Sequence, residues 1–145
     1  MNTNLMSKKE LNILFLGCGR ISSKHFDAIG KLKEQGYPIE RIAVTDLNLK
    51  RVEDVRRKYG FEVFESVEHF EKNNNGKYNI ASILTPSGLH PEHVINLSKY
   101  VENIIVEKPM ALRVSEADEM ILSCAKKNTR LFVVKQNRFN KPVVF

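Results

Sequence analysis

Tryptophan is absent from this chain of 145 residues, and cysteine (2), proline (5) and glycine (7) are all sparse. Two cysteines are too few for the disulfide framework of a small secreted domain. Cys18 lies in a glycine turn and Cys124 in a helical stretch, and no metal site is expected. Long apolar runs are missing too. None approaches the ~20 residues that a membrane-spanning helix needs. The first ten residues lack the apolar centre of a signal peptide. Residues 1–10 therefore read as a loose lead-in, and 11–145 as one domain large enough for a real core. The expected compartment is the cytoplasm, with no membrane partner.

Charge of one sign is also not concentrated. The formal net charge is +6, but the cations are dispersed through Lys8-Lys9, Arg56-Arg57-Lys58 and Lys126-Lys127. These read as solvated helix faces and not as a nucleic-acid stripe. The positive balance suits an anionic small molecule better.

What the chain does have is alternation. Apolar runs at Leu11 to Leu16, Ile39 to Thr45, Phe61 to Phe64, Asn79 to Leu84, Ile104 to Val106 and Leu131 to Val134 predict strands. Helical patterns lie between them. One runs from Ile21, with Ile21, His25, Ala28, Ile29 and Leu32 on one face. Others end at about Tyr59, where Gly60 stops the helix, span Ser66 to Lys72 and Pro91 to about Tyr100, and run from a Ser115 cap to about Asn128. Asn73-Asn74-Asn75-Gly76 reads as a loop. Strand and helix in turn predict an α/β fold with a doubly wound, mostly parallel sheet.

In such sheets ligands gather at the carboxyl ends of the strands. Four of those ends carry special residues. The first is Gly17-Cys18-Gly19-Arg20-Ile21-Ser22, between a strand and a helix, the context of a dinucleotide fingerprint. Gly17 permits a tight turn, Gly19 lets the backbone approach a pyrophosphate, and the helix N-terminus offers free N–H groups to it. The third small position is Ser22, so close helix–strand packing there is left open. By itself the motif also fits a plain structural turn.

The second is Asp46. An acid ending the second strand can hold the ribose hydroxyls of NAD, although it lies further from Gly17 than the usual ~20 residues. Asp46 also fits a helix cap, with Asn48 a competing one. A 2′-phosphate would be repelled by Asp46, which favours NAD over NADP. The third is Thr85-Pro86-Ser87 with His90. The fourth is Glu107-Lys108-Pro109, which sets a cation at the mouth of a buried strand.

Together these residues resemble the N-terminal domain of the glucose–fructose oxidoreductase, inositol dehydrogenase and MocA-type (Gfo/Idh/MocA) family. The resemblance rests on Leu16 to Ile21, Asp46, Thr85 to His90 and Glu107-Lys108-Pro109. It covers nearly all of the chain after residue 10. It implies a Rossmann fold and a dehydrogenase that passes hydride between a secondary alcohol of a sugar, nucleotide sugar or cyclic polyol and nicotinamide. It implies Lys108 as the catalytic cation beside the reacting oxygen, where it could hold developing negative charge. The bland reading of Lys108 is a solvated lysine or a partner of Glu107. The implied cofactor contacts are Gly17, Gly19, Arg20, Ile21, Asp46, Thr85, Pro86, Ser87, His90, Glu107, Lys108 and Gln136. His90 fits equally well as a lead into the next helix. Val134 to Asn140 resembles members that oxidise nucleotide-linked uronic acids. Family members carry a second, substrate-binding domain, so this chain is expected to bind NAD but turn over little substrate, with the full-length protein a homo-oligomer. Two other readings stay open: an S-adenosylmethionine methyltransferase, and a redox-silent domain that senses NAD.

Overall fold

The computed structural model describes residues 9–138. Six strands, β1 (Leu11–Leu16), β2 (Ile39–Thr45), β3 (Glu62–Val63), β4 (Ile80–Ile83), β5 (Asn103–Val106) and β6 (Arg130–Val133), form one sheet. Its order is β3-β2-β1-β4-β5-β6, and every neighbouring pair is parallel. This is the Rossmann order, with the direction of winding reversing between β1 and β4. The helices are α1 (Ser22–Glu34), α2 (Leu49–Tyr59), α3 (Val67–Asn73), α4 (His90–Leu97) and α5 (Val114–Lys126), with a 3-10 turn at Ser87–Leu89. The doubly wound parallel sheet expected from the alternation is the one observed.

β1 shows how the sequence builds two cores from one strand. Successive side chains leave a strand on opposite faces. Ile13 and Phe15 join Phe26, Val52 and Leu84 on the face covered by α1 and α2. Leu14 and Leu16 join Phe70, Val94, Leu97, Met120 and Cys124 under α3, α4 and α5. Every residue from Ile13 to Leu16 is buried, as a strand covered on both faces requires.

Beyond shifts of one or two residues at element ends, local features differ from the sequence reading in four places. In α1 the anchor is Phe26, which is 3% exposed and packs edge-on against Phe15, Tyr59 and Phe61. Ala28, expected on the inner face, is exposed, because the large aromatic sets the rotation of the helix. Ser115 does not cap α5. Glu116 instead reaches back, and its Oε2 accepts from the backbone N–H groups of Leu112 (3.2 Å) and Arg113 (3.1 Å). A glutamate in the first turn satisfies two otherwise orphaned donors, so the helix starts one residue earlier than Ser115. Within the expected loop at 73–76, Asn73 ends α3, and Asn74 is buried with its Oδ1 accepting from Tyr78 N (3.0 Å). The helix expected from Pro91 begins at His90 and ends at Leu97.

Gly60 closes α2 as expected, in a left-handed conformation (φ 70°). Among the described residues no helix is long and apolar enough to cross a membrane. Cys18 and Cys124 are both free and buried. Residues 1–8 of the expected lead-in, and Phe139 and Asn140, lie outside the described residues.

Candidate dinucleotide and catalytic site

The glycine turn is built against the end of β4. Gly17 has φ +98°, and a Cβ there would lie 2.9 Å from both the carbonyl carbon and the oxygen of Leu84. Only glycine combines that backbone angle with that approach. Gly17 N–H donates to Thr45 O (2.8 Å), fastening the turn to β2. At Gly19 the situation is the opposite: a Cβ would meet nothing within 4 Å. Space is open in front of this residue, on the side where α1 begins.

α1 starts without a side-chain cap and with no acid in its first turn. Its leading N–H groups and positive dipole end are thus not neutralised by the protein's own side chains. The α2 and α3 N-termini, by contrast, are capped by Asn48 and Ser66. Ser22, the third small position, is buried, and its hydroxyl donates to Gly19 O (2.7 Å). Serine fits because its extra oxygen finds a partner inside the turn. Ile21 precedes α1 and packs on the α1–α2 core.

Asp46 ties the second strand to that turn. Its Oδ2 accepts from Cys18 N (2.6 Å) and its Oδ1 from Asn48 N (2.7 Å). Asn48, not Asp46, caps α2, accepting from Arg51 N (3.3 Å). Each carboxylate oxygen of Asp46 keeps a further lone pair that a hydroxyl could use. Burial, and secondarily the Asp46 charge, push the Cys18 thiol up to about 12, so it is neutral at physiological pH.

His90 is 1% exposed. Its Nε2 lies 2.8 Å from Thr85 O and its Nδ1 2.9 Å from Pro109 O. The ring therefore bridges the loops that follow β4 and β5. Each nitrogen lies within hydrogen-bond distance of a backbone carbonyl, the N–H of a neutral ring serving one of the two, and the role the geometry gives this residue is that of a brace. Thr85 Oγ1 lies 3.0 Å from His93 Nδ1. Burial lowers His93 below the ordinary histidine value, so the imidazole is favoured in its neutral form. Pro86 is exposed and extended, and Ser87 opens the 3-10 turn.

Glu107 is 6% exposed. Its Oε1 lies 2.8 Å from His25 Nε2, and its Oε2 accepts from Lys108 N (3.1 Å). Both carboxylate oxygens are thus engaged, and neither is paired with the Lys108 ammonium. Among the described residues that ammonium has no carboxylate within 4 Å. Lys108 is exposed and lines a cleft of about 890 Å³ with Pro109, Met110, Val133, Val134 and Gln136. Lys108 and Gln136, far apart in sequence, therefore share one cavity. Arg20 lines a second cleft of about 410 Å³ with Gly19, Arg51 and Lys58. Asp46 and Thr85 line neither cleft.

Sequence reasoning missed one member of this constellation. His25 was read only as part of a helical face, yet it reaches Glu107 across 82 positions of sequence. No local spacing signals such a pair.

The oxidoreductase family with an NAD-binding Rossmann fold, glucose–fructose oxidoreductase, inositol dehydrogenase and MocA, matches residues 11–135. This chain belongs to that family. Curated Gfo/Idh/MocA relatives include glucose-6-phosphate 3-dehydrogenase of Bacillus subtilis, 27% identical over 72% of this chain and 28% of the relative. Myo-inositol 2-dehydrogenase of Thermotoga maritima is 24% identical over 90% of this chain and 38% of the relative. Among solved structures, the WlbA dehydrogenase of Bordetella pertussis, in complex with NADH and UDP-GlcNAcA, superposes with a TM-score of 0.84 at 31% identity. That match covers 93% of this chain and 40% of WlbA. The chain thus spans well under half the length of these relatives. The family is one of oxidoreductases, and nothing in the comparisons favours the methyltransferase reading.

Proposed function

We propose that this domain binds NAD along the carboxyl edge of its sheet, and that the whole protein is a dehydrogenase of a sugar, nucleotide sugar or cyclic polyol. One observation carries the reading: the turn at Gly17–Gly19, Asp46, the Thr85 loop and Lys108 all end strands on one edge of one parallel sheet. The residues fit the cofactor. Gly19 leaves room for a pyrophosphate, the uncapped α1 supplies N–H donors, and the Asp46 carboxylate can accept from ribose hydroxyls. The acid at that position disfavours a 2′-phosphate, hence NAD over NADP. Thr85, Pro86, Ser87 and Gln136 are assigned to the nicotinamide half, and Arg20 to the phosphate or adenine side. His90 supports this surface from beneath.

When bound, the nicotinamide ring takes up or gives a hydride. The chain's own contribution to that step is Lys108. Its ammonium, which has no carboxylate partner among the described residues, lines the cleft of about 890 Å³ and can hold the oxygen of a secondary alcohol while negative charge develops there. The complexes of WlbA with NADH and UDP-GlcNAcA support a nucleotide-linked uronic acid as the first substrate to try. We further propose a cytoplasmic, homo-oligomeric full-length protein. Two free, buried thiols suit a reducing compartment.

Calorimetric titration of the chain with NADH, NADPH and S-adenosylmethionine tests the cofactor. Binding of NADH, tighter than NADPH and without S-adenosylmethionine, is expected. Tight binding of S-adenosylmethionine with none of NADH would overturn the reading. Full-length protein that binds NADH but reduces no NAD with any sugar, uronate or polyol would favour a redox-silent sensor instead.

A further inference from the structure

We propose that His25 is a positioning residue for Lys108, acting through Glu107. The proposal rests on the dinucleotide reading above and deepens it. A carboxylate buried to the extent of Glu107 is costly unless both oxygens are satisfied. Here one partner is local, the backbone N–H of Lys108, and the other comes from α1. For stability alone, well-packed apolar groups of like volume often match such a buried polar pair. The arrangement is better explained by what it fixes.

The bond from Lys108 N–H to Glu107 Oε2 sets the plane of the peptide between the two residues. That plane sets the direction in which the Lys108 side chain leaves the strand end. Glu107 can hold it only while its own rotamer is held. His25 supplies that hold from the side, its ring packed edge-on against Phe15 (6.4 Å between centroids). From the other side, His90 meets the oxygen of Pro109 (2.9 Å). The Lys108–Pro109 segment is thus clamped between two histidines of different helices. α1 carries both the uncapped N-terminus assigned to the pyrophosphate and His25. The helix that receives the central pyrophosphate therefore also sets the lysine at the nicotinamide end. His25 does not touch the proposed ligand, so it is a positioning residue and not a catalytic one.

The test is a double-mutant cycle on the full 145-residue chain, read as Kd for NADH and, separately, for ADP. ADP carries the adenosine and pyrophosphate but not the nicotinamide half. Lys108→Ala and His25→Ala should each weaken NADH by about tenfold and change ADP by less than about twofold; tenfold corresponds to ~1.4 kcal/mol. In the Lys108→Ala background, His25→Ala should cost less than about a further twofold, since coupled residues are not additive. His25→Gln, whose amide can still donate to Glu107, should stay within about threefold of wild type. Equal losses for ADP and NADH, additive losses in the double variant, or an unchanged His25→Ala would each overturn the positioning role while leaving the cofactor reading intact. Should His25→Ala fail to fold, a His25→Gln chain that folds and binds ADP normally yet loses NADH tenfold would overturn rescue through Glu107. A wild-type chain that binds neither nucleotide would overturn the cofactor reading, and the proposal with it.

Discussion

Two alanine substitutions only two residues apart, at Gly17 and Gly19, should fail in opposite ways. Gly17→Ala places a methyl 2.9 Å from the backbone of Leu84, at φ +98°. An L-residue in a left-handed conformation costs about 1–2 kcal/mol. Forcing an extra methyl against backbone that cannot rotate away adds about 1–3 kcal/mol. The sum, roughly 2–5 kcal/mol, is a large share of the about 5–15 kcal/mol that holds a domain folded. With a urea m-value of about 1–3 kcal/mol/M, the midpoint should fall by about 1 M or more. Gly19→Ala has open space at its Cβ, so its midpoint should shift by the equivalent of less than about 0.5 kcal/mol. Its NADH affinity should fall by at least about tenfold, because the methyl occupies the path of the pyrophosphate. Urea unfolding followed by far-ultraviolet circular dichroism suits a chain without tryptophan, and NADH's own fluorescence reports binding. Gly17→Ala unfolding at the wild-type midpoint, or Gly19→Ala destabilised as much as Gly17→Ala, would refute the account of the turn.

Asp46→Ala should weaken NAD more than NADP and also destabilise by about 1–3 kcal/mol, because the N–H groups of Cys18 and Asn48 lose their acceptor; comparing both Kd values with the urea midpoint separates the two effects. Ser82 Oγ, buried in β4, has no hydrogen-bond partner among the described residues, so Ser82→Ala should be neutral or stabilising by up to about 1 kcal/mol in the same unfolding assay. His93 is held below the ordinary histidine value by burial. The unfolded chain therefore binds a proton more readily than the folded one in mildly acidic solution. Stability carried by neutral His93 is present above the ordinary histidine value and is lost as pH falls below it. Thermal melts from pH 7.5 downward should show a shallower decline in His93→Asn than in wild type. The purified 145-residue chain, which spans 28% to 40% of the relatives described, should bind NADH yet show negligible sugar-dependent NAD reduction.

The sheet was legible because its information is local. β1 and β2 begin and end where their apolar runs do, since strands covered on both faces need nearly every residue apolar. Gly60 was legible for the same reason, whereas the cap of α2 stayed open between Asp46 and Asn48 until the structure gave it to Asn48. Ser115 failed because two polar residues compete at one helix start, and the longer Glu116 reaches two donors. The site was legible only as a set of strand ends. That Asp46 holds Cys18, that His90 spans Thr85 and Pro109, and that His25 reaches Glu107 are products of tertiary placement. Pattern and propensity carry no term for such pairings. For His90 the family resemblance implied a ligand contact and the following Pro91 a lead into the helix, and neither signalled that the buried ring spans two backbone carbonyls.

The way the helices divide between the two faces has a consequence for solubility. α4 and α5 lie on the same side as Leu131 and Val133, which pack into that core. Phe132 and Ile105 are paired in register and emerge on the opposite side, where α1 and α2 serve β1 and β2. Phe132 is 49% exposed as a result. Within the described residues β6 also pairs on one side only. A half-bare aromatic on a strand with a free row of N–H and C=O groups is a template for strand addition between molecules. Its guards are the brevity of β6, four residues, and the flanking cations Arg130 and Lys135. β6 is thus one edge at which two copies of this domain could pair in concentrated solution, and Phe132→Lys should disfavour that pairing without disturbing the nucleotide edge.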